Sequence, residues 1–167
     1  MLILVGGGSR SGKSRYAVEL ATKAGAPIAF IATAELLDEE MRARASAHQK
    51  ERGAEFRTYE EPVDLAGAVR NAVQGHKAVV IDCLTLWASN LLLRQRSAVA
   101  EAPEFLRTAA EAPVPVIAVS NEVGCGIVPE NALARQFRDE AGKLNQMTAA
   151  AASEAWWMAF GLPLRLK

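Results

Sequence analysis

One stretch constrains this chain more than any other: Gly7-Gly8-Ser9-Arg10-Ser11-Gly12-Lys13-Ser14, preceded by the apolar run Leu2-Ile3-Leu4-Val5 and followed by a helical pattern. Its spacing is G-x-x-x-x-G-K-[ST], with a strand before and a helix after, the context in which that spacing makes a phosphate-binding loop. The glycines let successive backbone N–H groups turn inward as an anion nest, and the helix that follows adds the positive end of its dipole. In such a loop Lys13 sets a point charge among the outer phosphates, and the Ser14 hydroxyl ligates the Mg²⁺ of the nucleotide. The expectation is a nucleotide-binding protein whose residues Gly7, Gly8, Ser9, Arg10, Ser11, Gly12, Lys13 and Ser14 hold the phosphates.

The 167 residues suffice for one domain, residues 1–167, with a full core. Lys plus Arg and Asp plus Glu both number 19, so the formal net charge is zero. That balance gives no general attraction to nucleic acid or anionic membrane, and an anion site must be local. Cys83 and Cys125 lack metal-ligand spacing and read as buried thiols in a reducing cytosol. The N-terminal apolar run is too short for a signal peptide, and no window approaches a membrane span. The expected setting is cytoplasmic.

Ala17, Leu20, Ala21 and Ala24 recur at helical spacing until Gly25 and Pro27. Ile28-Ala29-Phe30-Ile31-Ala32 reads as a buried strand, with Thr33, Ala34 and Glu35 just past its carboxyl end, the edge where ligands collect in open parallel sheets. Residues 38–52 form a charged helical pattern in which Arg44, His48 and Arg52 share one face. Spacing alone fits a solvated surface there. The alternative is an imidazole flanked by guanidiniums, a setting suited to phosphate and favouring the neutral ring.

Residues 55–59 read as a short strand, followed by Glu60 and Glu61, and Asp64 opens a helix. His76 reads as plain surface. Ala78-Val79-Val80-Ile81-Asp82 is a strand ending in a carboxylate, the position that holds the metal's water shell in phosphate-loop proteins. The alternative is an aspartate capping the helix from Leu84. Residues 94–113 suggest a peripheral helix, and residues 114–120 a further strand. A glycine-broken loop then leads to Pro129, placed to open a helix reaching about Ser153, with a stripe of Leu133, Phe137, Ala141, Leu144, Met147 and Ala151 and an Arg135–Asp139 pair outside. The chain closes in a hairpin turning at Gly161-Leu162-Pro163, with Trp156 and Trp157 as core or interface. Alternating strands and helices imply an α/β doubly wound, mostly parallel sheet with flanking helices and an antiparallel C-terminal hairpin.

A phosphate loop alone permits a kinase, GTPase, ATPase or transporter motor. Three stretches taken together narrow the choice: residues 6–14, residues 38–52 with His48, and residues 121–146. The last contains Gly126-Ile127-Val128-Pro129-Glu130-Asn131, Leu133-Ala134-Arg135, Phe137-Arg138-Asp139, Gly142 and Asn145-Gln146. Over essentially its whole length the chain resembles the bifunctional adenosylcobinamide kinase/adenosylcobinamide-phosphate guanylyltransferase family of cobalamin assembly. The resemblance implies a P-loop NTPase (RecA-like) fold, and ATP, GTP and adenosylcobinamide as ligands. It implies phosphorylation of adenosylcobinamide, then transfer of GMP from GTP through a guanylyl-histidine, giving adenosylcobinamide-GDP and pyrophosphate. His48 matches the histidine, and Lys13, which neutralises phosphate charge, is the other catalytic residue. Thr33, Ala34, Glu35, Gln49, Lys50, Glu51, Arg52, Glu60 and Asp82 match nucleotide contacts, Ser14 and Asp82 the Mg²⁺ positions. A homotrimer is also implied. A kinase of another small hydroxyl compound, or a GTP-binding regulatory module, are the alternatives.

Overall fold

The structure, a computed structural model, describes residues 1–35 and 53–167. The expectations placed on residues 38–52, including His48, Gln49, Lys50, Glu51 and Arg52, lie outside the described residues. Seven strands form one sheet in the order β3-β2-β4-β5-β1-β6-β7. They are β1 (Leu2–Gly7), β2 (Ile28–Ala32), β3 (Phe56–Glu60), β4 (Ala78–Asp82), β5 (Val116–Asn121), β6 (Glu154–Ala159) and β7 (Leu162–Arg165). All neighbours run parallel except β6 and β7, which pair antiparallel as a C-terminal hairpin. The sheet expected from the sequence is therefore present.

The central strands are apolar on both faces because both are covered. In β1, Leu2 and Leu4 enter one core cluster while Ile3 and Val5 enter the other. Helix α1 (Lys13–Lys23) covers the second face through Ala17 and Ala21. On the first face lie α2 (Leu65–Ala72), α3 (Leu84–Leu93), α4 (Ala98–Glu111) and α5 (Ala132–Ala151).

Side-chain caps set several of these starts by satisfying backbone N–H groups that have no partner inside the helix. Asp64 accepts from the Gly67 N–H at 2.8 Å, as the sequence suggested, and Ser97 caps α4. Helix α5 opens at Asn131, whose side chain accepts from the Ala134 N–H at 3.1 Å, two residues later than Pro129 suggests.

Three further expectations are corrected. Helix α4 is not peripheral, because Ala98, Ala102, Phe105 and Ala109 form a buried stripe and Phe105 packs on Trp87 with ring centroids 5.7 Å apart. The α5 stripe does not start at Leu133, which is 49% exposed, nor does it reach Ala151, also exposed; burial centres on Ala141, Leu144 and Thr148. Arg135 does not pair with Asp139, since its guanidinium donates to the carbonyls of Pro129 at 2.9 Å and Glu130 at 2.6 Å. Of the two thiols Cys83 is buried, whereas Cys125, on the loop after β5, is exposed. His76 is half-buried, with Nδ1 2.8 Å from the Ala72 carbonyl and its ring edge-on to Tyr59.

Candidate active site

The phosphate loop joins β1 to α1, and its glycines have steric reasons. Gly7 has φ +145, and a Cβ there would stand 2.7 Å from the Met158 carbonyl oxygen. Gly12 is the N-cap of α1 in the left-handed region, φ +97, with no side-chain cap. The N-terminal N–H groups of α1 are thereby left facing the loop, the arrangement that binds phosphate.

Lys13 is 6% exposed. Its ammonium donates to the Gly8 carbonyl and lies 3.5 Å from Ser11 Oγ, so it curls over the cradle. Burial lowers its pKa from the ordinary value, opposed chiefly by the negative charge of Asp82.

The second half of the site is the carboxyl edge of the neighbouring strands. Val5, Val119, Asp82, Ala32 and Glu60 stand level across β1, β5, β4, β2 and β3. Asp82 is thus two strand intervals from β1, about 10 Å, and exposed Glu60 is four, about 19 Å. Asp82 does not cap α3: the N-cap is Cys83, with no side-chain bond. Among the described residues its carboxylate enters no hydrogen bond or ion pair, and its charge acts to raise the pKa of Lys13, so it fits a role in holding a hydrated cation beside Ser14.

Thr33 is fully buried. Its hydroxyl accepts from the Cys83 N–H at 2.7 Å and lies 2.8 Å from the Cys83 carbonyl as donor, and its own N–H donates to the Asp82 carbonyl at 3.1 Å. Asn90 on α3 donates to the Thr33 carbonyl at 2.7 Å. Glu35 is held by Arg94, whose pKa that hydrogen bond raises. The structure thus gathers the loop, Thr33, Ala34, Glu35, Glu60 and Asp82 along one edge.

A group absent from the sequence-based set ties this edge together. Ser120 Oγ donates to Asn145 Oδ1 at 2.6 Å, Asn145 Nδ2 donates to the Asn121 carbonyl at 3.1 Å, and the Asn121 N–H donates to Thr85 Oγ1 at 2.7 Å. The Glu122 N–H then donates to the Gly7 carbonyl at 3.1 Å, joining the loop after β5 to the phosphate loop. The available sequence signal was a polar residue at the end of an apolar strand, Ser120 after Val119.

Comparison with known proteins agrees with this geometry. A family model described as cobinamide kinase / cobinamide phosphate guanyltransferase matches residues 3–166. The chain is 42% identical over 166 residues to the bifunctional adenosylcobalamin biosynthesis protein CobP of Pseudomonas aeruginosa, covering 98% of this chain and 96% of that protein. It is 37% identical to the bifunctional adenosylcobalamin biosynthesis protein CobU of Escherichia coli, with both chains fully covered. Among solved structures it is similar to the flagellar accessory protein FlaH of Methanocaldococcus jannaschii, with TM-score 0.57 and 14% identity over 99% of this chain and 77% of that one. It is also similar to the RadB recombinase, with TM-score 0.56 and 15% identity over 93% of this chain and 73% of that one. These structural likenesses establish the RecA-like phosphate-loop fold. Among the described residues no helix is long and apolar enough to cross a membrane.

Proposed function

The chain belongs to the cobinamide kinase / cobinamide phosphate guanyltransferase family, and we propose that it performs both reactions in a single domain, residues 1–167. In the first, ATP or GTP phosphorylates the aminopropanol hydroxyl of adenosylcobinamide. In the second, GTP gives its GMP to His48 with release of pyrophosphate, and the guanylyl-histidine passes GMP to adenosylcobinamide phosphate, yielding adenosylcobinamide-GDP. The observation that supports this reading is the meeting of the phosphate loop and Asp82, which has no partner among the described residues, at one sheet edge, in a chain that matches the family over residues 3–166.

Such chemistry needs positioning and charge neutralisation more than covalent participation by many groups. Residues 7–14 bind the triphosphate and Lys13 neutralises charge on its outer oxygens. Ser14 and Asp82 hold Mg²⁺, which supplies further neutralisation of the phosphate oxygens when bound. Ala34, Glu35, Gln49, Lys50, Glu51 and Arg52 contact the guanine nucleotide, and Thr33 acts there through the backbone of Cys83. Glu60 reads the guanine N1–H and amino group. Nitrogen attack by neutral His48 on the α-phosphorus splits one difficult transfer into two in-line steps. We place the enzyme in the cytosol, where its nucleotides are available, as a homotrimer.

Incubation with α-labelled GTP and Mg²⁺ tests the reading: an acid-labile, base-stable protein label is expected, and His48→Ala abolishes it while phosphorylation of cobinamide persists. Label retained by that variant removes His48 from the mechanism. A kinase of another hydroxyl compound gives phosphorylation with no label, and a regulatory module gives tight GTP binding, slow hydrolysis and no adduct.

A further inference from the structure

The hairpin β6–β7 turns through two residues, Phe160 and Gly161, and both have positive φ, 54° and 82°. Two-residue hairpins favour such angles, but glycine, asparagine and aspartate are the residues that adopt them readily. Phenylalanine in that conformation is uncommon and costs free energy, and such outliers cluster at functional sites. This ring is also 100% exposed, so it gains no burial in return.

The turn is fastened to the phosphate loop. The Gly161 N–H donates to the Ser11 carbonyl at 3.2 Å, and a Cβ on Gly12 would stand 3.4 Å from the Gly161 Cα. The Arg15 guanidinium, on the first turn of α1, lies 3.5 Å from where a Gly161 Cβ would be. An aromatic ring and a guanidinium therefore stand at the rim of the phosphate cradle on its β6 flank. Glu60 lies on the other flank, four strands from β1.

We propose that Phe160 is the stacking platform for the purine base of a nucleoside triphosphate whose phosphates occupy residues 7–14, with Arg15 beside it. The inference rests on the phosphate loop being the triphosphate site. A base has a π-face whatever its edge pattern, so an aromatic platform accepts either purine and adds affinity without choosing between them. The guanine-reading role of Glu60 belongs to the opposite flank, and the phosphoryl donor of the kinase step is the nucleotide that Phe160 serves.

Binding to the full-length protein is measured by calorimetry with ATP, GTP and inorganic tripolyphosphate, which has phosphates but no base. Phe160→Asn keeps a residue suited to the turn and removes the ring; Phe160→Tyr keeps the ring. The expected result for Phe160→Asn is about 5- to 150-fold weaker binding of ATP, the range that base–aromatic stacking commonly supplies, with a smaller loss for GTP, whose guanine Glu60 also reads, and tripolyphosphate unchanged. Phe160→Tyr restores nucleotide binding, and in the kinase assay Phe160→Asn raises the donor KM with kcat little changed. Unchanged ATP binding overturns the proposal. So does an equal loss for tripolyphosphate, which makes the tip a support of the loop, or a change in oligomer mass, which makes the ring a subunit contact. Lys13→Ala separates the two levels: if it leaves tripolyphosphate binding intact, the phosphate-loop reading fails instead.

Discussion

Thr33→Val keeps the shape of a fully buried side chain and removes one oxygen. In the native protein that oxygen takes the Cys83 N–H at 2.7 Å and reaches the Cys83 carbonyl at 2.8 Å. The carbonyl keeps a second partner, the Trp87 N–H at 3.1 Å, whereas the Cys83 N–H is left with none among the described residues. A buried donor without a partner costs about 1–3 kcal/mol, and the lost hydroxyl–carbonyl bond adds about 1 kcal/mol. The expected destabilisation is thus about 2–4 kcal/mol, or a melting temperature lower by roughly 4–16 °C for a domain of this size. Thr33→Ser keeps both bonds and loses a methyl, at about 1 kcal/mol. Urea unfolding followed by circular dichroism, with m compared across variants, measures both differences. If valine lies within 0.5 kcal/mol of wild type, or serine is as damaging as valine, the hydroxyl is not what holds Cys83 in place.

Lys13→Ala removes both activities, with guanylyl transfer and phosphorylation each slowed about 10²–10³-fold, as loss of a charge contact at the transferring group commonly does; separate assays of the two steps check it, and normal guanylyl transfer contradicts a shared cradle. Burial raises the Cys83 thiol pKa to about 11. Because the folded state holds that proton more tightly than the unfolded chain, this contribution to stability is full below about pH 9 and is lost as pH rises through 11, by about 2–3 kcal/mol. Cys83→Ala flattens that alkaline decline in denaturation curves taken from pH 8 to 11. Thiol titration at pH 8 finds one reactive cysteine in the native protein, the exposed Cys125, and two in denaturant. Ser120→Ala withdraws the donor from half-buried Asn145 Oδ1 and costs about 0.5–1.5 kcal/mol, read as a lower urea midpoint with m unchanged.

The parts of the site legible in the sequence are those encoded locally. The phosphate loop is eight consecutive residues with a strand before and a helix after, and Asp82 ends an unbroken apolar strand. The clamp on Cys83 was not legible as such, because Thr33 stands 50 positions away and its hydroxyl has no local pattern. The same holds for Ser120 and Asn145, 25 positions apart. Helix α4 reads as peripheral because Glu101, Glu104 and Arg107 dilute a stripe whose buried members are mostly alanine, and alanine announces a face weakly. Pro129 offered a helix start on local grounds, but Asn131 supplies the side-chain oxygen that the first turn lacks. The place of the hairpin tip beside Ser11 depends on the chain's last strands returning to β1, which only the assembled sheet displays.

That assembled sheet also explains why so many polar residues at its edge face one another instead of a ligand. Strand β5 lies between the loop-bearing β1 and the Asp82-bearing β4, so the distance from cradle to carboxylate is set by two strand intervals and cannot be adjusted by either residue alone. Small errors in that spacing weaken phosphoryl transfer, which depends on in-line placement of groups. Thr85, Ser120, Asn121 and Asn145 fasten the end of β5 to α3 and α5, while Thr33 fastens the end of β2 to β4. Each of these bonds joins elements distant in sequence, and their combined effect is a rigid floor under the phosphates. It follows that substitutions in the floor should raise the barrier to both transfers together, whereas loss of His48, proposed to act in only one of them, should separate the two activities.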